Sequence, residues 1–191
     1  MSWQSPHQRP LPNWHHAPVL MGILNITPDS FSDGGLAASP EAAAERAEQL
    51  VAEGADILDL GAESTRPGAA PVDAATELAR LLPAIAAVRR RLPDIPLSVD
   101  TYKAEVAAAC IAAGADVIND VEGGSHEADP TGSPMARTCA RLGCPLILMH
   151  RRREANYREF WPEMLGDLRT SVHAARSAGM APEQLWTDPG F

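Results

Sequence analysis

The sequence is almost free of lysine. Of its sixteen basic residues among 191, fifteen are arginine, and Lys103 is the only lysine. Acidic residues outnumber basic ones by 25 to 16, which gives a formal net charge of −9. A chain with this charge balance is a poor candidate for non-specific binding to nucleic acid or to an anionic membrane. A local cationic site for an anionic ligand stays compatible with the composition.

Cysteine and long apolar runs are also scarce. The three cysteines, Cys110, Cys139 and Cys144, show neither a CxxC pair nor a Cys/His spacing typical of zinc sites. We therefore expect buried free thiols in a reducing cytoplasm. No apolar run approaches the roughly 20 residues of a membrane-spanning helix, and residues 1–18 lack the apolar core of a signal peptide. We predict a cytoplasmic protein in which residues 1–18 form a flexible leader.

What the sequence does contain is an alternation of short apolar runs with amphipathic segments. The predicted strands cover residues 19–25, 55–62, 95–100, 115–120, 145–150 and 184–188. The predicted helices cover residues 40–53, 74–91, 103–113, 133–142 and 161–178. Such alternation predicts a parallel sheet with right-handed crossovers. Pro83 should kink or divide the second helix.

Two architectures fit this alternation, an open doubly wound sheet and a (β/α) barrel. A glycine-rich phosphate loop would favour the open sheet, but neither GxGxxG nor GxxxxGK[ST] occurs. We therefore predict an α/β fold of the TIM-barrel type over residues 19–191. Because such barrels have eight strands and about 250 residues, we expect this one to be truncated after the sixth strand.

Polar residues stand at the C-terminal ends of the predicted strands. The second run continues into the polar segment 63–66, and the other runs end in Asn25, Asp100, the pair Asn119–Asp120, His150 and Asp188. One such residue is most simply a helix cap or a turn residue. Several together indicate a binding site, because the strand ends of a parallel sheet share one edge and buried carboxylates are costly without a partner.

The chemistry of these side chains suggests a class of ligand. Asp100, Asn119 and Asp188 offer hydrogen-bond acceptors, which match the donor-rich edge of an aminopyrimidine-like ring. The three form a poor metal cage. Asn25 and Arg66 instead suit a phosphate group or a magnesium–phosphate cluster.

Seven segments carry a more specific signal. They are MGILNITPDSFSDGG (21–35), GAESTRPGA (61–69), SVDTYK (98–103), INDV (118–121), LMH (148–150), NY (156–157) and DPGF (188–191). In order and spacing they resemble the dihydropteroate synthases, a family of pterin-binding enzymes. The resemblance implies a (β/α)8 barrel that joins p-aminobenzoate to 6-hydroxymethyl-7,8-dihydropterin pyrophosphate. The products would be 7,8-dihydropteroate, an intermediate of folate biosynthesis, and pyrophosphate.

The resemblance also implies a catalytic set and a metal site. Asn25 would bind Mg²⁺ and the pyrophosphate, and Thr65 and Arg66 would contact the pyrophosphate side. Asp33 would lie near the reacting methylene group and the incoming amine. Asp100 would act with Asp33 and Arg66 in catalysis, where the carboxylates stabilise the positive charge that develops at the methylene carbon.

The remaining implied residues bind the two substrates. The pterin edge would be held by the three acceptors named above, Asp100, Asn119 and Asp188. Met149 would pack on the pterin ring, although an ordinary core methionine of the fifth strand explains it equally well. Phe31 and Pro67 would wall the p-aminobenzoate pocket, where sulfonamides compete.

Two features of the family are missing from these residues, a lysine on a seventh strand and an Arg-x-His pair on an eighth. We therefore expect the isolated chain to have little or no synthase activity and to aggregate through unpaired strand edges. We also expect the family's homodimer interface to be largely missing.

Two alternatives stay open: a truncated or non-catalytic relative that binds pterin, and the pterin-binding module of a corrinoid methyltransferase. Each takes small-molecule substrates, with no nucleic-acid or membrane partner.

Overall fold

The computed structural model describes residues 5–12, 17–27, 39–63, 71–124, 133–152, 154 and 156–191. Within these ranges, strands and helices alternate. The elements are β1 (Met21–Asn25), α1 (Pro40–Ala52), β2 (Ile57–Gly61), α2 (Ala74–Arg91), β3 (Leu97–Asp100), α3 (Ala104–Ala112), β4 (Val117–Asp120), α4 (Pro134–Leu142), β5 (Leu146–Met149), α5 (Phe160–Ser177) and β6 (Leu185–Asp188). All bounds lie within two residues of those predicted from the sequence.

The six strands form one parallel sheet in the order β1-β2-β3-β4-β5-β6. A doubly wound sheet would reverse its strand order at a switch point, whereas here each strand simply joins the one before it. The sheet therefore has the topology of a (β/α) barrel, and the predicted fold class is confirmed. This topology places the C-terminal ends of all six strands at one edge.

The helix boundaries follow from local chemistry. Ser39, Asp73 and Ser133 cap α1, α2 and α4, each accepting a hydrogen bond from a backbone N–H of the first turn. Gly143 ends α4 in the left-handed conformation, with φ of 69°. These caps satisfy backbone groups that the helices themselves leave unpaired.

The two faces of the sheet have different neighbours. Leu58, Leu60 and Leu97 belong to the large core between the strands and the helices. Val117 and Ile147 point to the opposite face, where they pack with Leu11 of the N-terminal segment. Because side chains alternate along a strand, the polar strand-end residues that share this second face lie beyond the small apolar cluster.

Residues 5–12 lie against the N-terminal end of the sheet. Arg9 Nη1 donates to Asp116 Oδ1 at 2.7 Å, and Arg89 binds the other oxygen of the same fully buried carboxylate. The Leu11 side chain is buried. Part of the segment predicted as a leader thus makes specific contacts, while the boundary at residue 18 stays a prediction.

Pro83 was predicted to kink or divide its helix, and the division is wrong, because α2 runs unbroken from residue 74 to residue 91. Pro83 lies on the exposed side of the helix, so water can hydrate the Ala79 carbonyl that loses its usual N–H partner. Leu81, Ile85 and Val88 on the other side are fully buried. Burial of this apolar stripe outweighs the roughly 3 kcal/mol that an internal proline costs a helix.

The predicted burial of the cysteines is confirmed, since Cys110, Cys139 and Cys144 are free thiols inside the protein. None of the helices in the described ranges has both the length and the apolar character to span a bilayer.

Candidate functional site

The strand ends bring Asn25 and Asp100 together across Gly61. The three residues are register neighbours on β1, β2 and β3. A Cβ atom placed on Gly61 would lie 3.6 Å from both Asn25 Oδ1 and Asp100 Oδ2. An amide oxygen and a carboxylate oxygen therefore converge over a residue that has no side chain of its own.

Asp100 occupies an acidic and largely buried position. Burial raises the pKa of Asp100 to about 7. The carboxylates of Asp59, Glu77 and Asp120 act in the same direction. A ligand that donates N–H groups to Asp100 would favour the ionised form and lower this pKa again.

Asn119 stands next to Asp100 in register, at the end of β4. Its Nδ2 atom donates to Asp59 Oδ2 at 2.9 Å. Asn119 Oδ1 and Asp59 Oδ1 are buried and accept no hydrogen bond from the described part of the chain. Each unpaired buried acceptor costs about 1–3 kcal/mol, so a ligand N–H group near Asn119 would remove an existing penalty.

Of the pair Asn119–Asp120, only Asn119 faces this site. Asp120 is fully buried on the other side of β4, where its carboxylate accepts from the backbone N–H groups of Glu122 at 2.9 Å and Gly124 at 2.8 Å. Burial raises the pKa of Asp120 to about 6. Its role is to order the turn that follows β4.

Met149 and Asp188 are register neighbours at the ends of β5 and β6. Asp188 Oδ1 accepts from Gly190 N–H at 2.8 Å, and the Asp188 carbonyl accepts from His150 N–H at 2.7 Å. Gly190 has φ of 71°, and a Cβ atom there would clash with the His150 carbonyl oxygen and lie 3.3 Å from Met149 Cγ. Only glycine allows the chain to pass this close to His150. The close passage keeps the Met149 side chain beside the end of β6.

The segment after β5 is fixed to α5 by an ion-pair cluster. Asp167 lies 2.6 Å from Arg152 Nε and 3.1 Å from His150 Nε2. Arg152 also pairs with Glu163 at 2.8 Å and stacks over the Tyr157 ring, 4.4 Å from its centroid. The hydrogen bond from Arg152 holds the pKa of Asp167 below its ordinary value. His150, a polar strand end with no predicted role, is therefore part of the scaffold.

A second cluster anchors the end of β2. Lys103 Nζ donates to Glu63 Oε2 and to Glu77 Oε2, both at 2.7 Å, and Tyr102 Oη donates to Glu63 Oε1 at 2.8 Å. Burial acts to lower the pKa of Lys103, but the hydrogen bonds to the two glutamates outweigh it and raise the pKa. The sole lysine thus joins the chain on either side of residues 64–70.

Comparison with known proteins identifies the family. The profile of the pterin binding enzymes matches residues 21–191. The chain belongs to the pterin binding enzyme family. It is 46% identical to the dihydropteroate synthase of Bacillus subtilis over 173 residues, which cover 91% of this chain and 59% of that relative.

Solved structures agree with this assignment. Dihydropteroate synthase from Xanthomonas albilineans with 4-aminobenzoic acid matches at 42% identity with a TM-score of 0.82, covering 91% of this chain and 61% of that one. The same enzyme in complex with 7,8-dihydropteroate matches at 40% identity with a TM-score of 0.78 and the same coverage. This pterin binding enzyme therefore spans about three fifths of the length of these relatives.

The structure places the predicted site residues that it describes at one edge of the sheet. These are the strand-end residues Asn25, Asp100, Asn119, Met149 and Asp188. The other predicted site residues, Phe31, Asp33, Thr65, Arg66 and Pro67, lie outside the described residues. No group of three or more His, Cys, Asp or Glu side chains in the described ranges is arranged to hold a metal ion.

Sequence reasoning missed Asp59 of this pterin binding enzyme. The available signal was a carboxylate at the centre of an otherwise apolar strand, ILDLG, whose neighbours Leu58 and Leu60 both pack in the core. Side-chain alternation predicts that such a residue faces away from the helices. Asp59 therefore lies on the same face as the strand-end residues, whose oxygen acceptors suit a ligand edge rich in N–H groups.

Proposed function

We propose that these residues are the pterin-binding part of a dihydropteroate synthase. The reaction would condense p-aminobenzoate with 6-hydroxymethyl-7,8-dihydropterin pyrophosphate to give 7,8-dihydropteroate and pyrophosphate in folate biosynthesis. The observation that carries the proposal is the buried acceptor array, in which Asp100 has a raised pKa and Asn119 Oδ1 has no partner among the described residues. The Xanthomonas relatives with 4-aminobenzoic acid and 7,8-dihydropteroate support the choice of ligands.

The pterin would bind through its aminopyrimidine edge. That edge carries neighbouring N–H groups, which pair with a carboxylate and an amide carbonyl side by side. Asp100 and Asn119 supply this combination on adjacent strands, and Asp188 adds a further acceptor at the end of β6. Met149 would pack against the face of the ring. In this arrangement the N–H groups of the ligand supply hydrogen bonds to acceptors that burial has already removed from water.

The bond changes require charge stabilisation more than proton transfer. The C–N bond forms between the arylamine nitrogen and the pterin methylene carbon, while the C–O bond to pyrophosphate breaks and its electron pair leaves with the phosphate oxygen. The amine then loses one proton. We propose that ionised Asp100 and Asp33 stabilise the positive charge that builds up on the methylene carbon. Orientation of the neutral amine supplies much of the remaining rate acceleration.

Phe31 and three residues of segment 64–70 would contact the pyrophosphate and the p-aminobenzoate. Thr65 and Arg66 would bind the pyrophosphate, since a guanidinium matches phosphate oxygens bidentately. Phe31 and Pro67 would form the walls around the p-aminobenzoate ring. The Lys103 cluster supports this assignment, because it fixes Glu63 at the base of the same segment.

Magnesium is the cofactor that we propose. Asn25 Oδ1 is a hard oxygen donor at the strand-end edge, and such a donor fits a cation that completes its coordination with phosphate oxygens and water. Asn25 would hold the ion next to the pyrophosphate. When bound, magnesium would neutralise charge on the leaving group.

The remaining proposals concern location and partners. A cytoplasmic location is supported by three buried free thiols. Small-molecule substrates, without a nucleic-acid or membrane partner, are supported by the net charge of −9. Homodimer formation is proposed for proteins of the relatives' full length.

The test separates binding from turnover. The purified chain is titrated with the pterin pyrophosphate in the presence of Mg²⁺, and pyrophosphate release is then followed after p-aminobenzoate is added. We expect pterin binding that Asp100→Ala weakens at least tenfold, because the acceptor array loses a charged member. Asp94→Ala, at an exposed site near the other end of the sheet, is the matched control and should bind like the parent chain.

The outcomes distinguish the alternatives. Pterin binding with pyrophosphate release supports the synthase. Binding without release agrees with the expected lack of turnover by the isolated chain and is also what a non-catalytic pterin-binding relative requires. Methyl transfer to a corrinoid supports the methyltransferase module. A chain that binds no pterin, or that Asp94→Ala impairs as strongly as Asp100→Ala, contradicts the proposal.

A further inference from the structure

Asp59 is a buried carboxylate that none of the roles above uses. It is 6% exposed and lies in the middle of β2, opposite Ser98 of β3 in register. Burial raises the pKa of Asp59, and the hydrogen bond from Asn119 acts in the opposite direction. A carboxylate in such a place is costly unless it serves another group.

The group that Asp59 serves is the side-chain amide of Asn119. An amide has two ends of opposite character, an NH₂ donor and a carbonyl acceptor. The hydrogen bond of 2.9 Å from Asn119 Nδ2 to Asp59 Oδ2 uses the donor end. The carbonyl end is thereby directed to the other side, where Asn119 Oδ1 is buried without a partner in the described ranges.

The direction of this amide decides which ligand the site accepts. With its carbonyl oxygen free, Asn119 adds an acceptor beside the carboxylate of Asp100. Turned by 180°, the same side chain would present two N–H donors at that position. A ring edge built from N–H groups would then meet donors and leave polar groups of both molecules unpaired.

We propose that Asp59 is a positioning residue that fixes the Asn119 amide with its carbonyl oxygen toward the ligand, and so determines the donor and acceptor pattern that the site recognises. The inference rests on the proposed function only for the identity of the ligand, because the orientation of the amide is a property of the free chain. Asp59 acts through Asn119 and does not itself contact the reacting atoms.

The first measurement uses no ligand. In ¹H–¹⁵N spectra, the Asn119 side-chain signal is assigned by its disappearance in Asn119→Ser. We expect one of its NH₂ protons to exchange slowly with solvent, since it donates to a buried carboxylate. Asp59→Leu removes the acceptor and should abolish the slow exchange, whereas Asp59→Asn retains a carbonyl acceptor at the same place and should preserve it.

The second measurement is the affinity for the pterin pyrophosphate in the presence of Mg²⁺. Asp59→Leu should weaken binding about 10- to 100-fold, the usual effect of leaving buried polar groups unpaired. Asp59→Asn should stay within about threefold of the parent, because the same hydrogen bond can form. The exchanged pair Asp59→Asn with Asn119→Asp should bind more tightly than Asp59→Leu, since an acceptor oxygen, now of a carboxylate, faces the ligand at position 119.

Ser98→Val is the matched control for packing. Ser98 is fully buried beside Asp59 on the same face, and its hydroxyl group has no hydrogen-bond partner in the described ranges. This variant should preserve both the slow exchange and the pterin affinity. Equal losses in Ser98→Val and Asp59→Leu would show a packing effect and overturn the inference.

Failure of the inference and failure of the proposed function give different results. If the parent chain binds no pterin, the proposed function fails, and the exchange data alone decide the role of Asp59. If the parent chain binds pterin while Asp59→Leu leaves the Asn119 protons protected and the affinity unchanged, the inference is refuted and the proposed function stands.

Discussion

Replacement of Lys103 by methionine tests how the acidic residues around the site are held in place. The substitution keeps the length and the apolar stem of the side chain and removes only its charged end. Lys103 Nζ contacts Glu63 and Glu77 at 2.7 Å each, and the Glu77 side chain is 1% exposed. Lys103→Met therefore leaves a carboxylate buried without the cation that both glutamates share.

The size of the effect follows from the burial of the pair. Removal of one partner from a buried ion pair costs about 3–5 kcal/mol, because the remaining charge stays out of water. Lys103 is 12% and Glu63 15% exposed at the side chain, so solvent screens the cluster only in part. We expect Lys103→Met to lower the free energy of unfolding by about 3–5 kcal/mol, a large share of the roughly 5–15 kcal/mol of a typical domain.

Urea-induced unfolding, followed by circular dichroism at neutral pH, measures this change. Glu77→Gln in the Lys103→Met background removes the buried charge as well, and should recover part of the loss. Arg46→Met is the matched control, since Arg46 pairs with Glu53 at 3.3 Å and both side chains are largely exposed, 41% and 63%. Such a pair contributes less than about 1 kcal/mol.

The result that would refute this reasoning is a Lys103→Met variant as stable as Arg46→Met. The reasoning would also be refuted if Glu77→Gln made the Lys103→Met variant still less stable. Such a result would mean that Glu77 carries no uncompensated charge in the Lys103→Met variant. The sole lysine also allows a chemical check: an amine-reactive reagent should modify Lys103 slowly in the folded chain and quickly in urea.

Three further perturbations test other parts of the structure. Because burial raises the pKa of Asp100 to about 7, the protonated form is favoured in the folded chain, and its stabilisation is complete below roughly pH 4 and lost as the pH rises through the folded pKa. Asp100→Asn should therefore flatten the fall in unfolding free energy between about pH 4 and pH 7, and an unchanged slope would count against the shift. Gly190→Ala should destabilise the chain by at least about 1 kcal/mol through its clash with the His150 carbonyl. Gly166→Ala, in open space on α5, should instead stabilise it by up to about 1 kcal/mol. Equal melting temperatures of the two variants would contradict both expectations. Pro83→Ala restores a backbone hydrogen bond within α2 and should raise the free energy of unfolding by about 1–3 kcal/mol, and a loss of stability would show that Pro83 packs favourably.

The elements of the fold were predictable because their signals are local. Each strand is a short apolar run and each helix has an apolar stripe, so every boundary fell within two residues of its predicted place. The exception was Pro83, where the sequence shows the missing N–H but not the burial of the opposite side of α2. That burial depends on strands distant in the chain, and it decides the outcome.

The site was predictable only where a strand end displays it. Asp100 and Asn119 stand at such ends, and the rule that parallel strands finish at one edge is enough to bring them together. Lys103 joins Glu77 across 26 residues and Glu63 across 40, and no local pattern links these three positions. Asp59 was hidden for a different reason, since its strand looks apolar and the contact with Asn119 spans β2 and β4.

At the C-terminal edge of the sheet, acidic side chains are neutralised on one face and left without a cation on the other. This difference suits the proposed function. Lys103 neutralises the glutamates next to α2, but within the described ranges no cation contacts Asp59 or Asp100 on the other face. Burial and the neighbouring carboxylates raise the pKa of Asp100, and a ligand that donates N–H groups to Asp100 makes its ionisation favourable again. The acceptor array therefore persists as a local cost to stability that the proposed pterin ligand removes on binding.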